Sequence, residues 1–218
     1  MSYGSAIEGV VRYYSQKLEE HGPTPAGVDW NSDRSQTIRF EQLLRILDGR
    51  DEFSINDYGC GYGALVDHLV RDGGAFRYAG YDASPAMVAA ARERHADEPR
   101  ASFTDDLAEL DLADFTVASG VFNVKLDTPE LEWRGYVLEM INEIARLSLA
   151  GMAFNALTSH TDAGHRRPDL YYADPGELLD HCLRSFSRDV VLLHDYELYE
   201  FTVLVRLDGR PPATTGST

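Results

Sequence analysis

The residues best suited to chemistry lie within residues 56–65, which read NDYGCGYGAL. An aspartate, Asp57, precedes three glycines at alternate positions, Gly59, Gly61 and Gly63. Glycine weakens helices and strands, but it lets the backbone turn sharply and approach a ligand closely. The segment therefore predicts a ligand-binding turn with a carboxylate beside it.

Two cofactors fit a glycine turn of this kind. Gly59, Gly61 and Ala64 satisfy the relaxed dinucleotide pattern, in which the turn faces a pyrophosphate. Asp57 would repel that negative charge, whereas it would attract the cationic amino acid end of S-adenosylmethionine. Asp82, at the end of the next predicted strand, could accept hydrogen bonds from the ribose of either cofactor. A dehydrogenase normally needs a separate substrate domain, for which 218 residues leave no room, so S-adenosylmethionine is favoured.

Apolar periodicity predicts an alternation of helices and strands around this turn. Predicted helices cover residues 5–20, 33–48, 64–72, 84–94, 128–148 and 174–185. Predicted strands cover residues 53–59, 77–82, 101–105, 114–120 and 151–157, and two more form a hairpin within 189–207. Three of the helix starts carry a capping residue followed by proline, at Ser84, Thr128 and Asp174.

This order predicts a doubly wound α/β sheet of seven mostly parallel strands, in which only the strand at 201–207 runs antiparallel. Apolar and polar residues alternate along that strand, so one of its faces is expected to be covered better than the other. Ligands of such sheets bind at the carboxyl ends of the strands, where the glycine turn lies. We predict one domain over 1–208, with a helical cap or lid at 1–50, an α/β core at 51–208 and a disordered tail at 209–218.

Composition narrows the partners that we expect. The net charge is −16 and no basic stripe offsets it, which disfavours nucleic acid. No run approaches the roughly 18 apolar residues of a membrane span, and the charged N-terminus lacks a signal-peptide layout, so we expect no membrane partner and a cytoplasmic location. Cys60 and Cys182 are expected to stay reduced. The spacing His160-x-Asp162-x-x-His165 lacks a third cluster, so no metal is expected.

Four segments, INDYGCGYGAL, YAGYDASPAMV, SFTDDLAEL and DFTVASGVFN, resemble in order and spacing the successive motifs of class I S-adenosylmethionine-dependent methyltransferases. The order and spacing of the motifs match over about residues 53–160. The antiparallel strand predicted near the end of the chain also fits this class. It implies a Rossmann-like fold and S-adenosylmethionine as the cofactor. Enzymes of this class that methylate amino groups on nucleic acid bases typically carry an Asp/Asn-Pro-Pro-aromatic segment after the fourth strand. Since ASGVFN stands there instead, the resemblance favours the branch that acts on small molecules.

The resemblance also implies roles for individual residues. Asp57 and the turn that follows it would hold the methionine part of the cofactor through Tyr58, Gly59, Cys60, Gly61 and Gly63. Asp82 would bind the ribose, with Ala83 beside the adenine. The adenine would meet Asp106 and Leu107, and the reaction centre would be lined by Ser119 and Gly120. Because Asp105 stands where many relatives have glycine, the adenine contact is open between Asp105 and Asp106.

Residues before the first strand supply further candidates. Arg39 could pair with the cofactor carboxylate, or it could be a solvated helix arginine. Trp30 could close over the cofactor as a lid, or it could pack its own loop. Tyr14 lies on the apolar face of the first predicted helix and is expected in the core, which leaves Tyr13 as the better site candidate.

The loop at 158–175 follows a strand's carboxyl end and is dense in polar and aromatic side chains. His160 is the candidate base, and the loop's candidate substrate-binding residues are His165, Arg166, Arg167, Tyr171 and Tyr172. Its adjacent arginines could hold a small anionic acceptor, although a solvated surface loop is the alternative. His68, His95 and His181 lie on predicted helices and are expected to face solvent.

The function predicted from these residues is methyl transfer from S-adenosylmethionine to an oxygen or nitrogen atom of a small molecule. The alternative is a module that binds S-adenosylmethionine without catalysis. A dehydrogenase is a third and more distant interpretation.

Overall fold

The computed structural model describes residues 4–30 and 32–207 of the chain. The predicted tail at 209–218 lies outside the described residues. Within them, the α-helices are α1 (Gly4–His21), α2 (Asp33–Leu44), α3 (Ala64–Asp72), α4 (Pro85–Arg94), α5 (Glu130–Arg146) and α6 (Pro175–Ser185). Short 3-10 helices cover Pro25–Val28, Arg45–Leu47, Leu107–Glu109 and Ala163–His165.

The strands form one seven-stranded sheet in the order β3-β2-β1-β4-β5-β7-β6. They are β1 (Glu52–Tyr58), β2 (Ala75–Tyr81), β3 (Ala101–Thr104), β4 (Ala113–Ala118), β5 (Ser148–Leu157), β6 (Val190–Leu193) and β7 (Glu200–Arg206). β7 pairs antiparallel with both β5 and β6, and every other pair is parallel. The predicted doubly wound sheet with one antiparallel strand is confirmed.

The glycine turn lies at the switch point of this sheet. β1 is flanked by β2 on one side and by β4 on the other, so the chain connections leave it in opposite directions. Ligands of open α/β sheets bind outside the carboxyl ends of the strands at such a point. β1, β2 and β4 end at Tyr58, Tyr81 and Ala118, which places the segments after them at one edge.

The boundaries of α5 and β5 differ from those predicted. Ser84 and Asp174 cap their helices as expected, but α5 begins at Glu130 and its N-cap is Pro129 rather than Thr128. The amide of Thr128 donates instead to the carbonyl of Lys125, at 3.0 Å, so Thr128 closes the preceding turn. α5 then ends at Arg146 and β5 begins at Ser148, earlier than predicted, because Ser148 pairs with Ala113 of β4.

β7 is covered on both faces, so the prediction of one better-covered face is wrong. Two core clusters flank the sheet. Leu204 belongs to the cluster that includes residues of α2 and α3, whereas Phe201 and Val203 belong to the cluster that includes residues of α5 and α6. Even the polar Thr202 is fully buried. A strand between two helical layers has no solvent face, whatever its alternation indicates.

The helix histidines are less exposed than their sequence pattern predicts. His68 is only 8% exposed, and its ring lies 5.9 Å from that of Phe40. His95 is half-buried with Nε2 2.9 Å from the carbonyl oxygen of Gly63, and His181 is also half-buried. The expectation that these residues face solvent is wrong, because neighbouring helices and turns cover part of each helix's polar face.

The N-terminal helices have different surroundings. α2 contacts β5 and β7 and buries Phe40 and Leu43 in the core. α1 lies across the carboxyl edge of the sheet, where the hydroxyls of Ser15 and Ser84 are 2.9 Å apart. None of the helices within 4–30 and 32–207 is long and apolar enough to cross a membrane. The division at residue 50 between a cap and a core stays a prediction.

Candidate active site

The turn after β1 depends on glycine for conformation and for space. Gly59, Gly61 and Gly63 all have positive φ, at 81°, 54° and 81°. The amide of Gly59 donates to the carbonyl of Tyr81 at 2.7 Å, which holds the turn against β2. A Cβ at Gly59 would lie 2.2 Å from Cγ1 of Val121, a branched side chain with little freedom to move. A larger residue at position 59 would therefore strain the backbone and displace the segment after β4.

Asp57 is a buried carboxyl group beside this turn. It is 4% exposed, and Oδ2 accepts a hydrogen bond of 2.8 Å from the hydroxyl of Tyr78. Burial raises the pKa of Asp57 to about 7, while the Tyr78 hydrogen bond opposes the shift and the nearby Asp82 adds to it. No cation among the described residues is bonded to Asp57, so a cationic ligand group would stabilise its ionised form.

The burial of Asp57 predicts how the stability of the ligand-free protein depends on pH. The folded state holds the proton of Asp57 up to about pH 7, whereas the unfolded chain releases it near pH 3.9. The unfolded state therefore binds fewer protons between these values, and the free energy of unfolding falls as pH rises, by about 1.4 kcal/mol per unit at most. We expect Asp57→Asn to become more stable than wild type as pH rises from 4 to 8, as measured by urea unfolding.

The comparison with Asp57→Asn is needed because burial also raises the pKa of Asp82. Only the difference between the two proteins is assigned to Asp57. A difference that stays constant across this pH range would show that Asp57 is ionised in the folded protein.

Asp82 joins the two segments that follow β1 and β2. Its Oδ2 accepts from the amide of Gly61 at 2.8 Å, and its Oδ1 accepts from the amide of Ser84 at 2.9 Å. Each carboxylate oxygen retains a lone pair after these bonds. Asp82 can thus accept hydrogen bonds from a diol while it holds the turn in place.

A cavity of about 280 Å³ opens between this edge of the sheet and α1. Eleven predicted site residues line it: Trp30, Asp57, Tyr58, Gly59, Cys60, Gly61, Asp82, Ala83, Leu107, Ser119 and Gly120. Gly63 does not line the cavity and instead caps α3. The cofactor roles of these residues stay predictions, but the structure brings most of them together.

The structure leaves the choice between Asp105 and Asp106 open. Both residues are exposed, and neither lines the cavity. Oδ1 of Asp106 accepts from the amide of Ala108 at 2.9 Å and caps the short helix that starts at Leu107. Leu107 itself lines the cavity.

The predicted assignment of the two N-terminal tyrosines is reversed in the structure. Tyr14 lines the cavity, whereas the hydroxyl of Tyr13 donates to Asp29 at 2.8 Å, away from it. The apolar face of α1 is indeed covered, but it covers the cavity rather than a solid core. Helical periodicity identifies the covered face and does not reveal what lies beneath it.

Arg39 has a partner that the sequence analysis did not consider. Its Nε lies 2.9 Å from Oε2 of Glu200, and Nη2 bonds to the other carboxylate oxygen. Arg39 is 8% exposed, so it is not a solvated arginine, and it does not line the cavity. Its guanidinium lies 4.7 Å from the centre of the Trp30 ring. Arg39 thus supports Trp30, whose Nε1 would be 3.3 Å from a Cβ at Gly120.

Several cavity residues escaped the sequence analysis. An aromatic and apolar wall comes from α1, α2 and α5 and includes Ile7, Val10, Val11, Phe40, Trp133, Tyr136 and Met140. Asn155, with no exposed surface, lies behind the cavity. It accepts from the amide of Gly120 at 2.7 Å and donates to the hydroxyl of Ser119 at 3.4 Å. A polar residue within the apolar strand GMAFNAL was the available signal for Asn155.

The residues of the loop at 158–175 do not line the cavity. The His160 and His194 rings lie 6.1 Å apart, and the His165 ring stacks on Tyr199 at 5.1 Å. Arg166 bonds to the carbonyl of Ser159. Since His160 and Arg166 are outside the cavity, the structure does not place a histidine base or an anion-binding arginine there.

The rest of this loop packs against neighbouring segments. Nη2 of Arg167 lies 2.6 Å from Oδ2 of Asp169, and its Nη1 lies 3.3 Å from Oδ2 of Asp29. Asp29 is the residue before Trp30 in the sequence. Tyr171 is buried in the core, and the hydroxyl of Tyr172 accepts from the amide of Arg167. The loop arginines are therefore paired with carboxylates or carbonyls of the protein, because the loop folds down onto the segment after β4. Within the described residues, no cluster of three or more acidic, histidine or cysteine side chains could hold a metal ion.

Comparisons with known proteins agree with this geometry. A family model described as a methyltransferase domain matches residues 55–151. The Mycobacterium tuberculosis protein named "Putative methyltransferase Rv1506c" is 49% identical over 164 residues, which are 75% of this chain and 98% of that protein.

Solved structures match the fold over nearly the whole chain. Magnesium protoporphyrin IX methyltransferase from Synechocystis PCC 6803 with bound S-adenosylmethionine has a TM-score of 0.65 at 17% identity, covering 92% of this chain and 96% of that one. N-methyltransferase NodS from Bradyrhizobium japonicum WM9 with S-adenosylhomocysteine has a TM-score of 0.66 at 17% identity, covering 91% and 98%.

The chain belongs to the class I S-adenosylmethionine-dependent methyltransferases. It is an enzyme of this class, and its cofactor is S-adenosylmethionine. The residues present fit that group, since the buried Asp57 lacks a cationic partner and the glycine turn leaves room for a close approach. Asp82 would hold a ribose diol, while the sulfonium supplies an electrophilic methyl group.

Proposed function

We propose that this methyltransferase acts on an oxygen or nitrogen atom of a small molecule that binds beneath α1 and Trp30. The observation that carries the proposal is the continuity of the cavity. Gly59 and Asp82 line its cofactor side, and Val11 and Tyr14 line its outer side. A small acceptor could thus meet the cofactor in a space that α1 and Trp30 partly shield from bulk water, which favours methyl transfer.

The protein's own residues are arranged for positioning. Asn155 fixes both Ser119 and Gly120 at the end of β4, next to Trp30. Such fixed neighbours hold an acceptor in line with the group to be transferred, which requires an approach of about 3 Å. The apolar wall that α1 adds opposite the cofactor side favours catalysis over the alternative of a module that only binds the cofactor.

The setting that we propose is cytoplasmic, with a small molecule rather than nucleic acid or membrane as partner. The net charge of −16 supports the exclusion of nucleic acid. Cys60 and Cys182 are both free thiols, which fits a reducing compartment.

Adjacent tyrosines allow a matched test of the acceptor site. Tyr14→Ala is expected to reduce turnover of small acceptors by about tenfold or more, because it removes part of the cavity wall, whereas Tyr13→Ala is expected to have less effect. The measurement is release of S-adenosylhomocysteine from S-adenosylmethionine with a panel of small acceptors. Calorimetry with S-adenosylhomocysteine checks that cofactor binding survives in each variant.

The loop variants His160→Ala and Arg166→Ala complete the test. Both are expected to retain near-normal turnover, since neither side chain lines the cavity. Loss of turnover with intact cofactor binding in either variant would contradict the proposed site and support binding of the acceptor by the loop at 158–175. Cofactor binding without methylation of any small acceptor would favour the non-catalytic module.

A further inference from the structure

Charge in the cavity limits the acceptor that can bind there. We infer that the acceptor is an amine on an apolar body, methylated on nitrogen without a proton acceptor from the protein; the inference rests on the proposed function. Of the described residues that line the cavity, Asp57 and Asp82 are the carboxylic acids, and none is lysine, arginine or histidine. Both acids lie on the cofactor side.

An anionic acceptor would be buried in this cavity without a counter-charge. The charges of Arg39 and Arg167 are already balanced, that of Arg39 by Glu200 and that of Arg167 by Asp29 and Asp169, although Nη1 of Arg39 has no hydrogen-bond partner among the described residues. Burial of an unpaired anion is strongly unfavourable, and the overall charge of −16 adds to it. A neutral acceptor, such as a free amine, meets no such penalty, which removes the reason to expect an anionic acceptor.

An alcohol acceptor would need a base that the cavity does not offer. Asp57 and Asp82 both lie on the cofactor side, where the ammonium and the ribose of the cofactor would occupy them. Burial raises the pKa of all five tyrosines that line the cavity, so none of their hydroxyls is ionised near neutral pH. They are Tyr14, Tyr58, Tyr62, Tyr81 and Tyr136. Burial likewise raises the pKa of Cys60. A hydroxyl acceptor would therefore keep its proton and remain a weak nucleophile.

A free amine needs no such base. Its nitrogen lone pair forms the new N–C bond, the electron pair of the broken C–S bond stays on sulfur, and the methylated ammonium then loses one proton to water. Gln36 and Ser119 line the cavity and offer neutral oxygen atoms that can accept the N–H of the amine. The apolar body would lie against the α1 wall, where Ile7, Val10 and Val11 line the cavity.

Three probes of similar shape test the inference: 2-phenylethylamine, 2-phenylethanol and 3-phenylpropionate. With the wild-type enzyme and S-adenosylmethionine, we expect the amine to be methylated at least about tenfold faster than either of the others. Faster methylation of the alcohol or the carboxylate would overturn the inference and leave the proposed function standing. Methylation of none of the three, with S-adenosylhomocysteine bound normally in calorimetry, would overturn both.

The pH dependence gives a second readout. If the protein supplies no base, kcat/KM for benzylamine should rise about tenfold per pH unit until the amine itself is neutral. Aniline is already neutral near pH 7, so its kcat/KM should stay flat over the same range when both profiles are measured with saturating S-adenosylmethionine, which keeps Asp57 ionised. A shared pH profile for both amines would indicate a titrating group of the protein and overturn the inference.

A charge placed in the wall provides a matched pair of variants. Val11→Lys should weaken binding of 2-phenylethylammonium to the complex with S-adenosylhomocysteine by about tenfold, whereas Val11→Glu should maintain or strengthen it. Val11→Gln controls for the lost apolar contact. Binding of S-adenosylhomocysteine alone, which should change little, shows that each variant is folded. Equal amine affinity in the lysine and glutamate variants would contradict the inference.

Discussion

Asp82→Ala is expected to lower the affinity for S-adenosylhomocysteine roughly 100-fold or more. Two ribose hydroxyls would lose a charged acceptor, and each such hydrogen bond is worth about 1.5–3 kcal/mol. The substitution also frees the amides of Gly61 and Ser84, which Asp82 holds at 2.8 and 2.9 Å. Both effects act in the same direction, because the second loosens the turn that surrounds the ligand.

Calorimetry on three proteins separates these effects. Asp82→Asn keeps one acceptor oxygen and should lose less affinity than Asp82→Ala. Asp97→Ala removes the same charge from an exposed position and should bind like wild type. Unchanged affinity in Asp82→Ala would remove Asp82 from the cofactor site.

Glu200→Ala is expected to be the most destabilising of these changes, by about 3–5 kcal/mol. Glu200 is 1% exposed, and its removal leaves the charge of Arg39 buried without its partner. Since the free energy of unfolding of a domain is typically about 5–15 kcal/mol, this substitution would remove a large share of it. Urea unfolding at neutral pH measures the change, and Trp30 fluorescence reports whether the stacked guanidinium has moved.

A surface pair offers the matched control for Glu200. Arg34 and Glu197 form a similar 2.8 Å ion pair in solvent, so Glu197→Ala should change stability little. The double variant Arg39→Met/Glu200→Leu should recover much of the stability lost in Glu200→Ala, because no charge remains buried. Equal stability in Glu200→Ala and Glu197→Ala would contradict the account of this pair.

The sheet could be predicted from the sequence, as could the presence of most of the proposed cofactor residues around one cavity, because both depend on local patterns. Apolar runs, helix caps and the three glycines act over a few neighbouring residues, and the antiparallel hairpin followed from its short turn. Asp57 and Asp82 could be proposed as neighbours because each lies at or next to the carboxyl end of a strand. Their proximity then follows from parallel pairing alone.

The outer wall of the cavity, where we propose that the acceptor binds, could not be predicted because it depends on long-range packing. Tyr13 and Tyr14 have the same chemistry and adjacent positions, and only the placement of α1 over the sheet decides which one lines the cavity. Arg39 and Glu200 are 161 residues apart, so no local pattern links them. The arginines and histidines after β5 looked like a site because of their density, but pairing with nearby groups accounts for much of their position.

The central claim is that this cavity binds a methyltransferase cofactor. Calorimetric titration of the wild-type protein with S-adenosylhomocysteine tests it most directly. We expect one molecule to bind per chain, with affinity lost in Asp82→Ala, and no heat with the nicotinamide dinucleotide NAD. Absence of binding by S-adenosylhomocysteine, or tighter binding of NAD, would contradict the assignment of this cavity to a methyltransferase cofactor.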